Sequence, residues 1–168
     1  EELDHYPDRG AEEYYGPLYR ADSGASLKWN KKAEKKIFAL LQPGARAFVP
    51  AMNMLLSLPE NYDVIISAPG IPKEMKEKHE NDHVGIEDGP VRMDPVLSGC
   101  DLAISHADVE FCSACLLKGV PLVLLPGHLE QLMFARAVGR LGAGRGAAGD
   151  FGPDKIRELM DILLEEPE

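Results

Sequence analysis

The feature that most constrains the fold is a pair of short apolar runs, each followed at once by a polar turn that contains a histidine. The runs are residues 101–105 (DLAIS) and 121–125 (PLVLL), and the histidines are His106 and His128. Such runs, rich in Val, Leu and Ile, are typical of strands covered on both faces in a parallel sheet. Ligands of open α/β sheets bind outside the carboxyl ends of the strands. We therefore expect both turns to open onto one rim that carries the chemistry.

Apolar runs and helical patterns alternate along most of the chain. Strands are predicted at residues 36–41, 62–67, 84–86, 101–105, 121–125 and 145–148. Helices are predicted at residues 45–58, 71–82, 94–99, 109–118, 129–141 and 153–164. About six alternations favour a Rossmann-like, doubly wound parallel α/β sheet with right-handed crossovers. We expect one such domain at 35–168, after a linker and N-terminal extension at 1–34 that shows no sustained hydrophobic period.

Length and charge narrow the range of partners. The 168 residues suit one domain with a single sizeable core. Asp and Glu total 28 against 18 for Lys and Arg, a formal net charge of −10, so a polyanion would be repelled and nucleic acid is not an expected partner. The densest basic run, residues 28–36, is interpreted as a solvent-exposed segment that precedes the first strand, and not as a binding site.

Cysteine content and hydropathy bear on location. Three cysteines do not make a disulfide framework, which favours a reducing compartment, and we expect a cytoplasmic protein. No apolar stretch approaches the twenty or so residues of a membrane span. The sequence begins at Glu1 without Met, and we expect a fragment or a processed product.

The second half of the chain resembles a known family. It has, in order, SH, a short loop, an apolar helix, KGVP, a hydrophobic strand, PGHLEQ and a helix ending in LGAG. This order resembles the donor-binding, C-terminal half of two-domain GT-B glycosyltransferases, and in particular the UDP-glycosyltransferase pattern. The resemblance is specific over residues 94–144 and weaker from residue 36 onward.

The resemblance implies transfer of a sugar from a nucleotide-sugar donor, UDP-linked by expectation, to an unknown acceptor. It implies neither a metal nor a cofactor. In the family the catalytic base and the acceptor site come from the N-terminal half, so no catalytic residue is expected here. We expect the chain to be inactive alone and to need an N-terminal GT-B half, in the same protein or in a partner subunit.

The resemblance also implies a set of substrate-binding residues at the two turns and before the helix at 94–99. The set comprises His106, Asp108, Val109, Glu110, His128, Glu130, Gln131, Arg92 and Met93. Glu130 and Gln131 match an acidic residue and a Gln that bind hydroxyls of the donor sugar. The alternative for Glu130 is an ordinary acid in the first turn of a helix. Backbone near residues 91–93 would hold the base, and Arg92 is either a phosphate partner or a solvated side chain.

The phosphate loop departs from the family pattern. Residues 107–111 read ADVEF, where the family usually has glycines and a Thr or Ser that admit the donor diphosphate. Asp108 can serve as a helix N-cap, but a carboxylate about 6 Å from a phosphate costs roughly 3 kcal/mol at an effective dielectric near 20. Ala114 replaces a family Glu that holds the ribose. We expect weak donor binding, and the alternative is a degenerate, non-catalytic GT-B-like binding or scaffolding module.

A histidine and a cysteine pair in the second half of the chain each have two interpretations. His106 would either donate to a donor phosphate or cap the strand end through its ring nitrogens. Cys112 and Cys115 form a CxxC, a spacing also found in redox dithiols and zinc sites. Both cysteines lie in a predicted helix with apolar neighbours, so we predict buried packing instead.

Overall fold

A computed structural model describes residues 3, 13, 24–147 and 149–165. Its strands form one parallel sheet in the order β3-β2-β1-β4-β5-β6. They are β1 (Lys35–Leu40), β2 (Tyr62–Ser67), β3 (Val84–Glu87), β4 (Leu102–Ser105), β5 (Leu122–Leu124) and β6 (Gly144–Gly146). The helices are α1 (Phe48–Leu56), α2 (Lys73–His79), α3 (Met93–Leu97), α4 (Val109–Leu117), α5 (Leu129–Arg140) and α6 (Pro153–Glu165).

The predicted fold class is confirmed, since this strand order is that of a doubly wound Rossmann-like sheet. The bounds of β2 agree with the prediction, and β3 is an edge strand as expected. Helix α1 is shorter than predicted. It begins at Phe48 because residues 45–47 form a tighter turn, in which the Phe48 amide bonds to the Ala45 carbonyl at 3.0 Å. Pro50 lies in its first turn, where a missing N–H is tolerated.

Two apolar layers sandwich the sheet because successive side chains of a strand point to opposite faces. On one face, strand residues such as Ile37 pack with α1 and α6. On the other face, Phe38 and its neighbours pack with α3, α4 and α5. Cys112 and Cys115 lie in this second layer with no exposed surface, so the predicted buried packing of the CxxC is confirmed.

The segment 24–30, called the strap below, lies against the second layer before β1 begins. Leu27 and Trp29 pack on that layer, and the Trp29 indole N–H donates to the Val96 carbonyl at 2.8 Å. Part of the expected extension at 1–34, the strap, therefore packs on the domain. The residues of the extension before 24, apart from 3 and 13, lie outside the described part of the chain.

In the part of the chain that the structure describes, no helix has both the length and the apolar character needed to cross a bilayer.

Strand β6 is a site where side-chain volume decides stability. A Cβ added at Gly144 would lie 2.6 Å from the Leu122 carbonyl oxygen and 3.1 Å from Val138, on α5. We expect Gly144→Ala to lower the free energy of unfolding by about 1–3 kcal/mol, because the two strands and the helix cannot separate without loss of packing. Urea unfolding measures this.

Gly146→Ala, in the same strand, is the matched control. Its added Cβ would meet Ala135 at 3.6 Å, which is an ordinary contact. We expect a change within about 0.5 kcal/mol. Equal losses for the two variants would contradict the packing described for β6.

Candidate functional site

The centre of the candidate site is the point where the strand order reverses. Strands β1 and β4 are neighbours, but the chain leaves them toward opposite edges of the sheet, which opens a crevice at their carboxyl ends. Gln42 follows β1 and His106 follows β4. The Gln42 amide donates to Nε2 of His106 at 3.0 Å, so one hydrogen bond joins the two strand ends across the crevice.

The second ring nitrogen of His106 is also engaged. Its Nδ1 lies 3.3 Å from the Leu125 carbonyl oxygen, just beyond β5. Because Nε2 accepts a hydrogen bond, the neutral ring carries its proton on Nδ1 and donates it to Leu125. Both ring nitrogens of His106 thus bond to backbone groups at strand ends, as in the strand-capping role considered for it above. In this arrangement the ring has no further N–H to offer a phosphate.

A cleft of about 310 Å³ lies beside His106, and we call it the switch-point cleft. It is lined by Leu40, Leu41, Gln42, Pro69, His106, Asp108 and Gln131. The prediction missed the four residues from the ends of β1 and β2, because it considered only the turns after β4 and β5 and the segment before α3. The strand order was the signal that could have found them, since it places the end of β1 beside His106.

A second cleft of about 250 Å³ lies between the first turns of α4 and α5, and we call it the helix-end cleft. It is lined by Ala107, Asp108, Val109, Glu110, His128, Glu130, Gln131 and Phe134. Asp108 and Gln131 line both clefts, so the two are contiguous.

Seven of the nine predicted residues line one of these clefts, and Arg92 and Met93 line neither. Arg92 is the exposed N-cap of α3, and its amide donates to the Ala25 carbonyl at 2.9 Å. Met93 is the half-buried first residue of α3 and packs against the second layer.

The loop after β4 keeps a backbone shape that suits glycine. Ala107 has φ +63°, in the left-handed region that costs an L-residue roughly 1–2 kcal/mol. The next residue, Asp108, is the N-cap of α4, and its Oδ1 accepts from the Phe111 amide at 2.8 Å. The predicted N-cap is confirmed, and the carboxylate lies where a helix N-terminus would otherwise receive an anion.

Helix α5 begins in a related way. His128 is its N-cap, with Nδ1 3.5 Å from the Gln131 amide, and Gln131 Oε1 accepts from the Gly127 amide at 2.7 Å. Gln131 therefore holds the turn while it lines both clefts. Glu130, beside it, is exposed in the first turn, where an acid also stabilises the helix dipole.

Phe111 and Ala114, which differ from the glycosyltransferase pattern described above, are buried in the core. Phe111 is 1% exposed and meets the Phe38 ring edge to face, with centroids 5.5 Å apart. Ala114 has no exposed surface. Neither position offers a polar atom to a nucleotide.

The cysteines do not add a reactive group to the site. Burial raises the pKa of the Cys112 thiol to about 12 and raises that of Cys115 further, so both stay protonated near neutral pH. Among the described residues, no cluster of His, Cys, Asp and Glu side chains is arranged to hold a metal ion.

Charge at the helix-end cleft is negative. Asp108, Glu110 and Glu130 are exposed there, and each places a carboxylate near the first turn of a helix. At about 6 Å from a phosphate, one such charge costs between about 0.7 kcal/mol in water and about 3 kcal/mol at an effective dielectric near 20. The cleft therefore receives a neutral hydroxyl-bearing group more readily than a phosphate.

The bonds of His106 predict a pH dependence. Burial lowers the pKa of His106, with the Leu125 carbonyl opposing the shift in part, so the unfolded state binds more protons. Stability should fall as the pH drops below about 6.5, the usual pKa of histidine. Glutamine does not titrate, and its Oε1 can still accept from the Gln42 amide. When the pH is lowered from about 7.5 to about 5.5, we therefore expect the free energy of unfolding to fall less in His106→Gln than in the wild type.

Denaturant unfolding at both pH values makes the comparison. Asp108, the charged residue that shares the switch-point cleft, is unchanged in both proteins. Identical pH profiles would show that His106 does not contribute as described.

No protein-family model matches the chain, and no curated protein sequence matches it. Solved structures of several glycosyltransferases are similar to it. Spinosyn rhamnosyltransferase SpnG, complexed with spinosyn aglycone, has a TM-score of 0.78 and 18% identity over 98% of this chain and 47% of its own. The glycotransferase of kitacinnamycin has a TM-score of 0.74 and 20% identity over 90% of this chain and 40% of its own.

Glycosyltransferase VinC, in complex with DTDP, has a TM-score of 0.67 and 19% identity over 82% of this chain and 35% of its own. The chain thus spans less than half the length of these solved chains. It has the fold of one half of a GT-B glycosyltransferase.

Proposed function

We propose that the chain is the donor-binding half of a glycosyltransferase that uses a nucleotide-sugar donor, with a diphosphate site that is weakened by two carboxylates. The observation that carries this proposal is the convergence of the switch-point cleft with the first turns of α4 and α5. Helix N-termini at the carboxyl edge of a Rossmann-like sheet are the usual place for a nucleotide phosphate. Residues 35–168 would form the domain, and 1–34 would lead into it.

In this proposal the donor sugar faces α5. Glu130 and Gln131 line the helix-end cleft, where a carboxylate and an amide can bind sugar hydroxyls. A sugar is neutral, so the negative charge that opposes a phosphate does not oppose it. The structure of VinC, a similar fold, was solved with DTDP, which supports a nucleoside diphosphate as the other part of the ligand.

The same geometry supports weak binding. Asp108 occupies the first turn of α4, and Phe111 and Ala114 give core packing in place of polar contacts. The switch-point cleft, at about 310 Å³, is at the lower end of the usual range for ligand sites, about 300–1,000 Å³. A donor lying in these open clefts would stay exposed to water until a second half closed over it. The chain alone should therefore not transfer sugar.

Removal of the two loop charges tests the phosphate position. We expect Asp108→Ser with Glu110→Gln to tighten UDP or dTDP by about tenfold or more, because each charge costs at least about 0.7 kcal/mol near a phosphate. Serine keeps the N-cap, so α4 should remain intact. Calorimetry measures the affinities, and we expect a wild-type Kd in the high micromolar range or weaker.

Glu60→Gln with Glu165→Gln is the control. It changes the net charge by the same amount at two exposed positions. Glu60 lies just before β2 and Glu165 is the last residue of α6, and neither lines a cleft. We expect it to leave the affinity almost unchanged. If both double variants bind alike, the loop does not face a phosphate.

Glycosyl-transfer assays test whether the chain needs a second GT-B half for activity. We expect the chain alone to release no UDP or dTDP from a panel of nucleotide sugars and acceptors. We expect the complete product of its gene, or the chain supplied with an N-terminal GT-B half, to do so. Transfer by the lone chain would overturn the need for a second half. If the complete protein also releases no UDP or dTDP, the result would favour a non-catalytic binding module.

A further inference from the structure

A separate cavity of about 320 Å³ lies where the strap crosses strands β2 and β3, and we call it the strap pocket. Residues of the strap, of the two strands and of the turn before β3 line it. It shares no lining residue with the switch-point cleft or the helix-end cleft. The strap pocket is therefore distinct from the site proposed for the donor.

Gly85 leaves the space that this pocket occupies. It pairs with Ile65 across the two strands, so any side chain at position 85 would point to the same face of the sheet as that of Ile65. A Cβ built on Gly85 meets no atom within 4 Å. The crossover from β3 to β4 carries only the five-residue helix α3, and Leu27 and Trp29 of the strap supply part of the cover on this face.

The charge of the pocket is negative. Four carboxylates and one ammonium line it, and they belong to Asp63, Glu80, Asp82, Glu87 and Lys28. Two of the carboxylates have partners, since Glu87 lies 3.9 Å from the Lys76 ammonium and Glu80 Oε1 is 3.4 Å from the Ile86 amide. These contacts leave an excess of negative charge that favours a cation.

Asp63 carries the argument for a ligand, because it is a buried charge with one oxygen left over. The residue is only 7% exposed, and its Oδ2 accepts from the Asn30 amide of the strap. Among the described residues, none donates a hydrogen bond to its Oδ1. This oxygen keeps some exposed surface, so a ligand in the pocket can reach it. A buried carboxylate is costly unless it is paired, and a cationic donor would pair it.

We infer that the strap pocket binds a small organic cation, a guanidinium or ammonium group on a short alkyl stem. The cationic group would bond to Asp63, and the stem would lie against the apolar side chains of Leu27 and Ile65. The Trp29 indole, which also lines the pocket, belongs to the side chain that attracts cations most strongly. In the described part of the chain no carboxylates are grouped to hold a metal ion, so an extended cation suits the pocket better than a metal does.

A pair of probes of equal shape tests the charge requirement. Butylguanidinium carries the cation, and butylurea is its neutral counterpart. Trp29 is the single tryptophan of the chain, so its fluorescence reports on this pocket, and the Gly85 amide signal in NMR spectra locates the ligand. We expect butylguanidinium to bind at least tenfold tighter than butylurea, because a hydrogen bond to a charged group is the stronger kind. Added NaCl should weaken the binding of the cation.

Asp63→Asn removes the charge and keeps an oxygen that can accept from the Asn30 amide. We expect this variant to bind butylguanidinium about tenfold more weakly or worse. Asp101→Asn is the matched control, because Asp101 Oδ2 accepts from the Lys36 amide at 2.7 Å in a similar contact but is exposed and lies outside the pocket. It should bind like the wild type.

Substitution of Gly85 tests the location. Gly85→Leu places an apolar side chain in the cavity and should abolish binding, whereas Gly85→Ala adds a methyl group that meets no atom within 4 Å and should bind within about twofold of the wild type. Urea unfolding checks that all variants are folded. Capped arginine amide carries the same head group on a peptide backbone. Equal affinity for it would show that a protein side chain can supply the cation, and weaker affinity would restrict the pocket to free amines and guanidines.

Three results would overturn the inference. They are equal affinity for butylurea and butylguanidinium, unchanged affinity in Asp63→Asn, and binding that persists in a folded Gly85→Leu variant. Absence of any saturable change at Trp29 or Gly85 with butylguanidinium would overturn it as well. None of these results bears on the proposed donor site, because the two sites share no residue.

Discussion

The reversal of strand order between β1 and β4 is the constraint on which the rest of the structure depends. Because β1 pairs with both β2 and β4, the chain must leave these central strands in opposite directions, and the crevice between them follows from connectivity. His106 joins the strand ends there through Gln42 and Leu125. The switch-point cleft lies beside that arrangement.

The loop after β4 shows how helix stability and anion binding compete for the same backbone groups. Asp108 satisfies the Phe111 amide and favours the helix dipole, and both effects stabilise α4. The same carboxylate opposes a phosphate at that helix end. Phe111 adds apolar packing in the same turn, so this end of α4 is stabilised by residues that do not favour an anion.

Local patterns in the sequence were enough to predict most of the fold. The run at 62–67 has the bounds of β2, and the apolar stretches before His106 and His128 are β4 and β5. These predictions succeed because burial on both faces of a parallel strand requires continuous apolar residues. Candidate residues that directly follow those strands were brought together for the same reason, since parallel strands end at one rim.

The sequence by itself determined which segments are buried, which strand ends carry polar side chains and which helix has an acidic N-cap, because each depends on neighbouring residues. Only the tertiary structure decided that Gln42 bonds to His106, that Pro69 shares their cleft, and that Ala25 pairs beside Val91. Gln42 and His106 are 64 residues apart along the chain, Ala25 and Val91 are 66 apart, and Pro69 is 27 residues from Gln42. Strand order and crossover direction bring such segments together, and no local periodicity encodes them.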